Sequence, residues 1–120
     1  MNRSYDVNNI FAKILRGKVP CKRILENENA LAFPDINPQA PIHILIIPKN
    51  SYINFYDFTK NSSQKELENF WKLVTDVVEH FKVEEEGFRL ITNSGSNGNQ
   101  DVPHFHVHLL GGENLGRIIG

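Results

Sequence analysis

The chain is poor in cysteine: Cys21 is the only one in 120 residues. No disulfide can close within it, and no paired-cysteine metal or redox motif exists, so a disulfide-held secreted scaffold is excluded. Net charge is scarce too. Thirteen Lys and Arg against fourteen Asp and Glu leave −1 at pH 7. The molecule as a whole therefore offers no basic field for nucleic acid or an anionic membrane. Long apolar runs are missing; none approaches the roughly 20 residues that cross a bilayer. The opening stretch, MNRSYDVNNIFAKI, carries acid and amide side chains where a secretory leader has its apolar core. Internal repeats, charge runs and low-complexity linkers are absent as well. These absences lead to the expectation of a cytoplasmic protein with neither nucleic acid nor membrane as partner.

What is present is an ordinary soluble composition, 40% hydrophobic and 22% charged. Residues 1–120 suit a single domain with one core that needs no metal or disulfide to hold it. NNIFAKILR (8–16) reads as a short helix, with Asn8 or Asn9 as cap, an apolar stripe of Ile10, Phe11, Ile14 and Leu15, and Gly17 and Pro20 closing it. KRILEN (22–27) and ALAFPD (30–35) read as strands joined by a turn at Asn27–Asn29. INPQAP (36–41) must be loop. The β-branched IHILIIP (42–48) is a central strand ended by Pro48. Residues 49–61 form an aromatic-rich connection. Ser63 and Glu66 form a capping box, and Leu67, Phe70, Trp71, Val74, Val77, Val78 and Phe81 then repeat at helical spacing, giving a long helix over 63–82 that packs on the sheet. GFRLITN (87–93) is a strand, SGSNGNQ (94–100) a glycine-rich loop, and VPHFHVHLLGG (102–112) the last strand. The grouping implies an α+β fold with an antiparallel sheet.

The last strand carries His104, His106 and His108 at every second position. Alternate side chains share a face, so the imidazoles point one way, while Phe105, Val107 and Leu109 point under the long helix. Clustered histidines suggest zinc. Same-face neighbours on a strand are about 6.7 Å apart and the outer pair about 13 Å apart. With zinc–nitrogen bonds near 2 Å, a single ion could be reached only by strongly converging side chains, unless His43 replaced one of the three. No metal and no cofactor is expected. Catalysis fits better: one imidazole attacks phosphorus, and its neighbours orient it, bind an anion or handle protons. The loop before the row, NSGSNGNQD (93–101), can bring backbone N–H groups close to a phosphate.

These residues resemble the histidine triad (HIT) superfamily, whose motif is His-x-His-x-His followed by two apolar residues, met here by His104–Leu110. NIFAKILRGKVP (9–20), LAFPDINPQAPIHILIIPK (31–49), RLITNSGSNGNQ (89–100) and VPHFHVHLLGG (102–112) also resemble that family's blocks, in order. Gly111–Gly112 and the DINPQAPIHILIIPK block look like the Hint-like branch of purine nucleoside phosphoramidases. The branch that hydrolyses dinucleoside polyphosphates usually has Pro-Arg after the triad. The resemblance implies a five-stranded antiparallel sheet with one short and one long helix, joined to a second sheet across a homodimer. It implies hydrolysis of the P–N bond of a purine nucleoside phosphoramidate, an AMP-amine or AMP-lysine conjugate. By the same resemblance His106 is the nucleophile, His108 contacts the phosphate and assists the leaving group, and His104 and His43 complete the histidine network. Asp35 holds the ribose hydroxyls. Ile10, Phe11, Phe33, Ile36 and Leu45 line the base pocket. Asn93 and Gln100 bind near ribose and phosphate, where the backbone N–H groups of Asp101 and Val102 face the phosphate.

The chain departs from that pattern in places. Asp101 stands where many members have serine; a carboxylate can accept but not donate a hydrogen bond, and it opposes an anionic phosphate. Asn99 replaces a common glycine, with less backbone freedom. The tail ENLGRIIG (113–120) lacks the aromatic, proline-rich ending of eukaryotic Hint-like proteins. Cys21 reads as an inert packing residue.

Overall fold

The computed structural model describes residues 4–118. Strands β1 (Leu25–Glu26), β2 (Ala30–Pro34), β3 (Ile42–Pro48), β4 (Phe88–Ile91) and β5 (Val107–Gly111) form one antiparallel sheet in the spatial order β1-β2-β3-β5-β4. Helix α1 (Ile10–Leu15) precedes the sheet; α2 (Phe55–Asn61) and α3 (Gln64–Phe81) lie between β3 and β4. The five-stranded antiparallel α+β arrangement is the one the sequence implied, with one helix more.

The two central strands are buried on both faces, and period-two alternation divides their side chains. Ala30, Ala32, Ile44 and Ile46 join Val107 and Leu109 of β5 in the cluster that holds Phe70, Leu73, Val74 and Val77 of α3. Leu31, Phe33, Leu45 and Ile47 face the other way, against Phe11 and Ile14 of α1. In register, Ile44 opposes Leu109 and Leu45 opposes His108, so β5 puts His108 on the α1 face.

The long helix keeps to its expected span within a residue. Ser63 Oγ accepts from the Glu66 N–H at 3.1 Å and Glu66 Oε1 accepts from the Ser63 N–H at 3.0 Å, while Lys82 ends it in the left-handed region at φ 55°. Three expectations need correction. Residues 49–61 are not all connection: Asn54 Oδ1 accepts from the Asp57 N–H at 2.9 Å and nucleates α2, which buries Phe58 completely. The first strand shrinks from 22–27 to Leu25–Glu26, the two residues in ladder register with β2, with the Ile24 and Asn27 N–H groups bonding Ala32 O and Ala30 O on either side. The last strand begins at Val107, not at 102. Pro48 and Pro103 lack N–H groups, so the ladder stops at Ile46↔Val107. His104 and His106 therefore lie before the strand rather than on it, although Phe105 still packs on the α3 side with Phe58 and Phe70.

Candidate active site

Without a ladder, residues 104–106 need other anchors. The Phe105 N–H donates to Tyr52 O at 2.7 Å, the His104 N–H to Val102 O at 2.8 Å, and Thr92 Oγ1 to His106 O at 2.8 Å. These bonds turn the His104 and His106 side chains towards α1, where Phe11 meets the His106 ring edge-on at 5.0 Å.

The proton on each imidazole follows from its partners. His106 Nδ1 lies 2.7 Å from His104 O. A carbonyl only accepts, so Nδ1 carries the hydrogen and Nε2 keeps a lone pair. His104 Nε2 likewise donates to Pro48 O at 2.9 Å, leaving Nδ1 to accept from the Tyr5 hydroxyl at 2.5 Å. The Gln39 N–H donates to His43 Nδ1 at 3.0 Å. His43 therefore carries its hydrogen on Nε2 and donates it to His108 Nδ1 at 2.9 Å. The hydrogen of neutral His108 is thereby pushed to Nε2. One ring thus has a bare Nε2 and the ring beside it, centroid 5.1 Å away, a protonated Nε2.

Burial favours the neutral form of His43, His104 and His108. Loss of water lowers His104 to about 4, against a smaller opposing effect of the Pro48 carbonyl. Burial also lowers His108 to about 4, helped by the neighbouring His106 and His43. Burial lowers His43 too, and the Asp35 carboxylate opposes it. That carboxylate lies 3.4 Å from His43 Nε2 and 4.0 Å from His108 Nδ1, and its other oxygen accepts from the Asn37 N–H at 2.8 Å.

Ile10, Phe11, Phe33, Asp35, Ile36, Leu45, Asp101 and Val102 all border one cavity of about 440 Å³, so the structure brings these expected ligand-binding residues together. Its walls are mainly apolar, and Cys21, expected only to pack, lines it as well. Ile36 is wholly exposed and Ile10 is 42% exposed, an apolar pair open to a flat ligand. Among the described residues no histidine lines this cavity directly; the imidazoles reach it through two of its lining residues, Asp101, 3.7 Å from His106 Nε2, and Asp35, 3.4 Å from His43 Nε2. A larger and more open cavity, about 820 Å³, lies by the ends of α3 and β5, away from the triad.

Two expected residues sit elsewhere. Gln100 is engaged by backbone groups: its Nε2 donates to Ile53 O, before α2, and to Val102 O, and its Oε1 accepts from the Gly95 N–H. Asn93 is half-buried beyond β4, outside the cavity lining. The glycine-rich loop closes on itself, the Asn99 N–H donating to Ser96 O and the Gln100 N–H to Gly95 O. Asn99 holds φ +56° there, a conformation asparagine tolerates better than most residues. Asp101 lies at the mouth, with Oδ1 accepting from the Val102 N–H at 2.9 Å and standing 3.7 Å from His106 Nε2.

Among the described residues one group of donors gathers tightly enough for an ion: Asp35, His43 and His108, with ligand atoms within 4.8 Å. The donor chemistry fits poorly. The Gln39 N–H on His43 Nδ1 forces the hydrogen onto Nε2, the atom that faces the other two donors. Coordination would require moving that hydrogen to a nitrogen already receiving one.

Residues 16–115 match the HIT domain family. The chain belongs to the HIT family. A HIT-like protein of Azospirillum brasilense is 47% identical over 119 residues, 99% of this chain and 98% of the relative. The purine nucleoside phosphoramidase of Escherichia coli K12 is 38% identical over 110 residues, 92% of each chain. A HIT family hydrolase from Legionella pneumophila superposes with a TM-score of 0.85 at 38% identity, over 94% of this chain and 100% of that one. For this HIT domain, sequence reading found the histidines and the pocket but missed Gln39, Pro48, Thr92 and Tyr5. The first two act through backbone groups, which no side-chain pattern reveals.

Proposed function

We propose that the chain, acting as one domain, hydrolyses the P–N bond of purine nucleoside phosphoramidates through a nucleotidyl-histidine at His106. The observation that carries this reading is the hydrogen bond from His106 Nδ1 to His104 O, which leaves a lone pair on Nε2, 3.7 Å from Asp101 of the cavity lining. The purine enters between Ile10 and Ile36 against Phe11 and Phe33, and the ribose hydroxyls donate to Asp35. His106 Nε2 attacks the α-phosphorus and the P–N bond breaks. The leaving nitrogen takes a proton from solvent at the open mouth and departs as an amine. His108, with its hydrogen on Nε2, donates to the phosphoryl oxygens. Water then cleaves the Nε2–P bond, releasing the nucleoside monophosphate and returning the lone pair to His106.

The similarity to the E. coli purine nucleoside phosphoramidase supports the substrate class, and Gly111–Gly112 in place of a Pro-Arg pair disfavours dinucleoside polyphosphates. Nothing in the step requires a metal or cofactor. The homodimer belongs to the same reading: β4 is a sheet edge, with Phe88 39% and Leu90 41% exposed, suited to continuing the sheet into a second copy. No helix among the described residues is long and apolar enough to cross a membrane. The test is turnover of a fluorogenic adenosine phosphoramidate with chelator present. Wild type is expected to turn over and His106→Ala to lose turnover while still binding AMP. Wild type that binds AMP without turnover would make the chain a nucleotide-binding module instead.

A further inference from the structure

The segment before α1 is not loose. The Asn9 N–H and its side-chain amide both donate to Asp6 O, at 3.3 and 2.7 Å, and the Arg16 guanidinium donates to Val7 O at 2.6 Å. This anchoring carries Tyr5 to the far side of the triad, 99 residues away in sequence. Its hydroxyl lies 2.5 Å from His104 Nδ1, and its ring meets the imidazole edge-on at 5.6 Å.

His104 has no exposure at all. Its Nδ1 cannot turn to water, and its Nε2 is committed to Pro48 O. A buried nitrogen without a donor is costly, and the alternatives open to it are a rotated ring or a hydrogen moved to Nδ1. Either change breaks the bond to Pro48 O, which ties His104 to the end of β3. The same residue's carbonyl orients His106 Nδ1. Residues 104–106 lie outside the sheet ladder, so nothing in β5 makes good a loss at His104.

We propose that Tyr5 is a positioning residue for the nucleophile: its hydroxyl fixes the tautomer and rotamer of His104, whose carbonyl aims His106 Nε2 at phosphorus. The inference rests on the reading of His106 as nucleophile. Tyr5 touches neither the base cavity nor the reacting atoms; it acts only through His104. Ground-state nucleotide binding does not depend on it, whereas the in-line geometry of attack does.

The test compares wild type, Tyr5→Phe, Arg16→Met and His106→Ala. Tyr5→Phe keeps the ring and removes the hydroxyl. Its kcat on the adenosine phosphoramidate is expected to fall about tenfold, with KM and AMP affinity within about twofold. Long-range proton–nitrogen NMR is expected to show the His104 imidazole leaving the single Nε2–H pattern. Arg16→Met frees the segment without touching the triad and lowers kcat in the same direction by less; it decides the matter should Tyr5→Phe fail to fold. A Tyr5→Phe kcat within twofold of wild type, a loss confined to KM, or an unchanged His104 signal overturns the proposal. Turnover surviving in His106→Ala overturns the nucleophile reading itself, which separates the two failures.

Discussion

His106 and Asp101 stand 3.7 Å apart with opposite demands. On the proposed function a phosphoryl oxygen of the substrate needs the Val102 N–H, which the Asp101 carboxylate already holds, 3.7 Å from His106 Nε2. The carboxylate therefore competes with the phosphate, both by charge and by occupying its donor. Asp101→Asn is expected to tighten AMP binding about three- to tenfold, on the order of 1 kcal/mol, measured by calorimetry at fixed ionic strength; unchanged affinity would mean that the side chain swings aside at no cost. His43 offers a second residue-scale test. Its Nε2 hydrogen sets the tautomer of His108, so His43→Phe is expected to lower kcat by about tenfold or more while leaving the apolar base pocket, and AMP binding, nearly intact. An equal loss of affinity would assign His43 to binding instead.

At the scale of elements, the site stands on pieces of unequal legibility. α3 was readable from Ser63, Glu66 and seven apolar residues at helical spacing, because local capping and periodicity decide it. Ser63→Ala is expected to cost about 1 kcal/mol of stability, seen as a lower denaturation midpoint. Turnover measured well below that midpoint should be unchanged, since α3 packs on the sheet face opposite the imidazoles; a large activity loss would tie the helix to the site. The apolar cavity was legible for a similar reason: Phe33, Leu45 and Phe11 fall on one face of two strands and a helix. α2 was not, since Asn54 and Asp57 cap only seven residues with one buried side chain, Phe58. The start of the last strand was misread because alternation of His and apolar residues persists through 104–106, whereas pairing begins only at Val107, past the positions where Pro48 and Pro103 remove donors. The histidine face survived this error because contacts with Tyr52, Thr92 and Pro48 replace the ladder. Those contacts span long sequence distances, which is why the pattern held no trace of them.

For the whole molecule, the histidine network links stability to pH. His104 has an ordinary value near 6.5 when unfolded and about 4 in the fold. Between these values the unfolded chain binds a proton that the folded chain refuses, so stability is full above pH 6.5 and is lost as pH falls towards 4. For this fully buried ring the loss is on the order of 3 kcal/mol. Urea midpoints taken down that range should fall, and more shallowly in His104→Gln; parallel slopes would count against the buried neutral ring. The open edge at β4 gives a test of assembly. Light scattering is expected to find the proposed dimer in wild type and a monomer in Leu90→Lys; a wild-type monomer would contradict the dimer, and a dimeric Leu90→Lys would place its interface elsewhere.

The most direct measurement is to quench wild-type enzyme during turnover of the adenosine phosphoramidate and find the phosphorus. Mass spectrometry of the digest locates the residue, and phosphorus NMR distinguishes the ring nitrogens. The expected result is an adenylyl group on Nε2 of His106, the nitrogen left bare by the bond from Nδ1 to His104 O. An adduct on Nδ1, on His104 or His108, or turnover with no adduct formed even on rapid quenching, would contradict the assignment of nucleophile and tautomers.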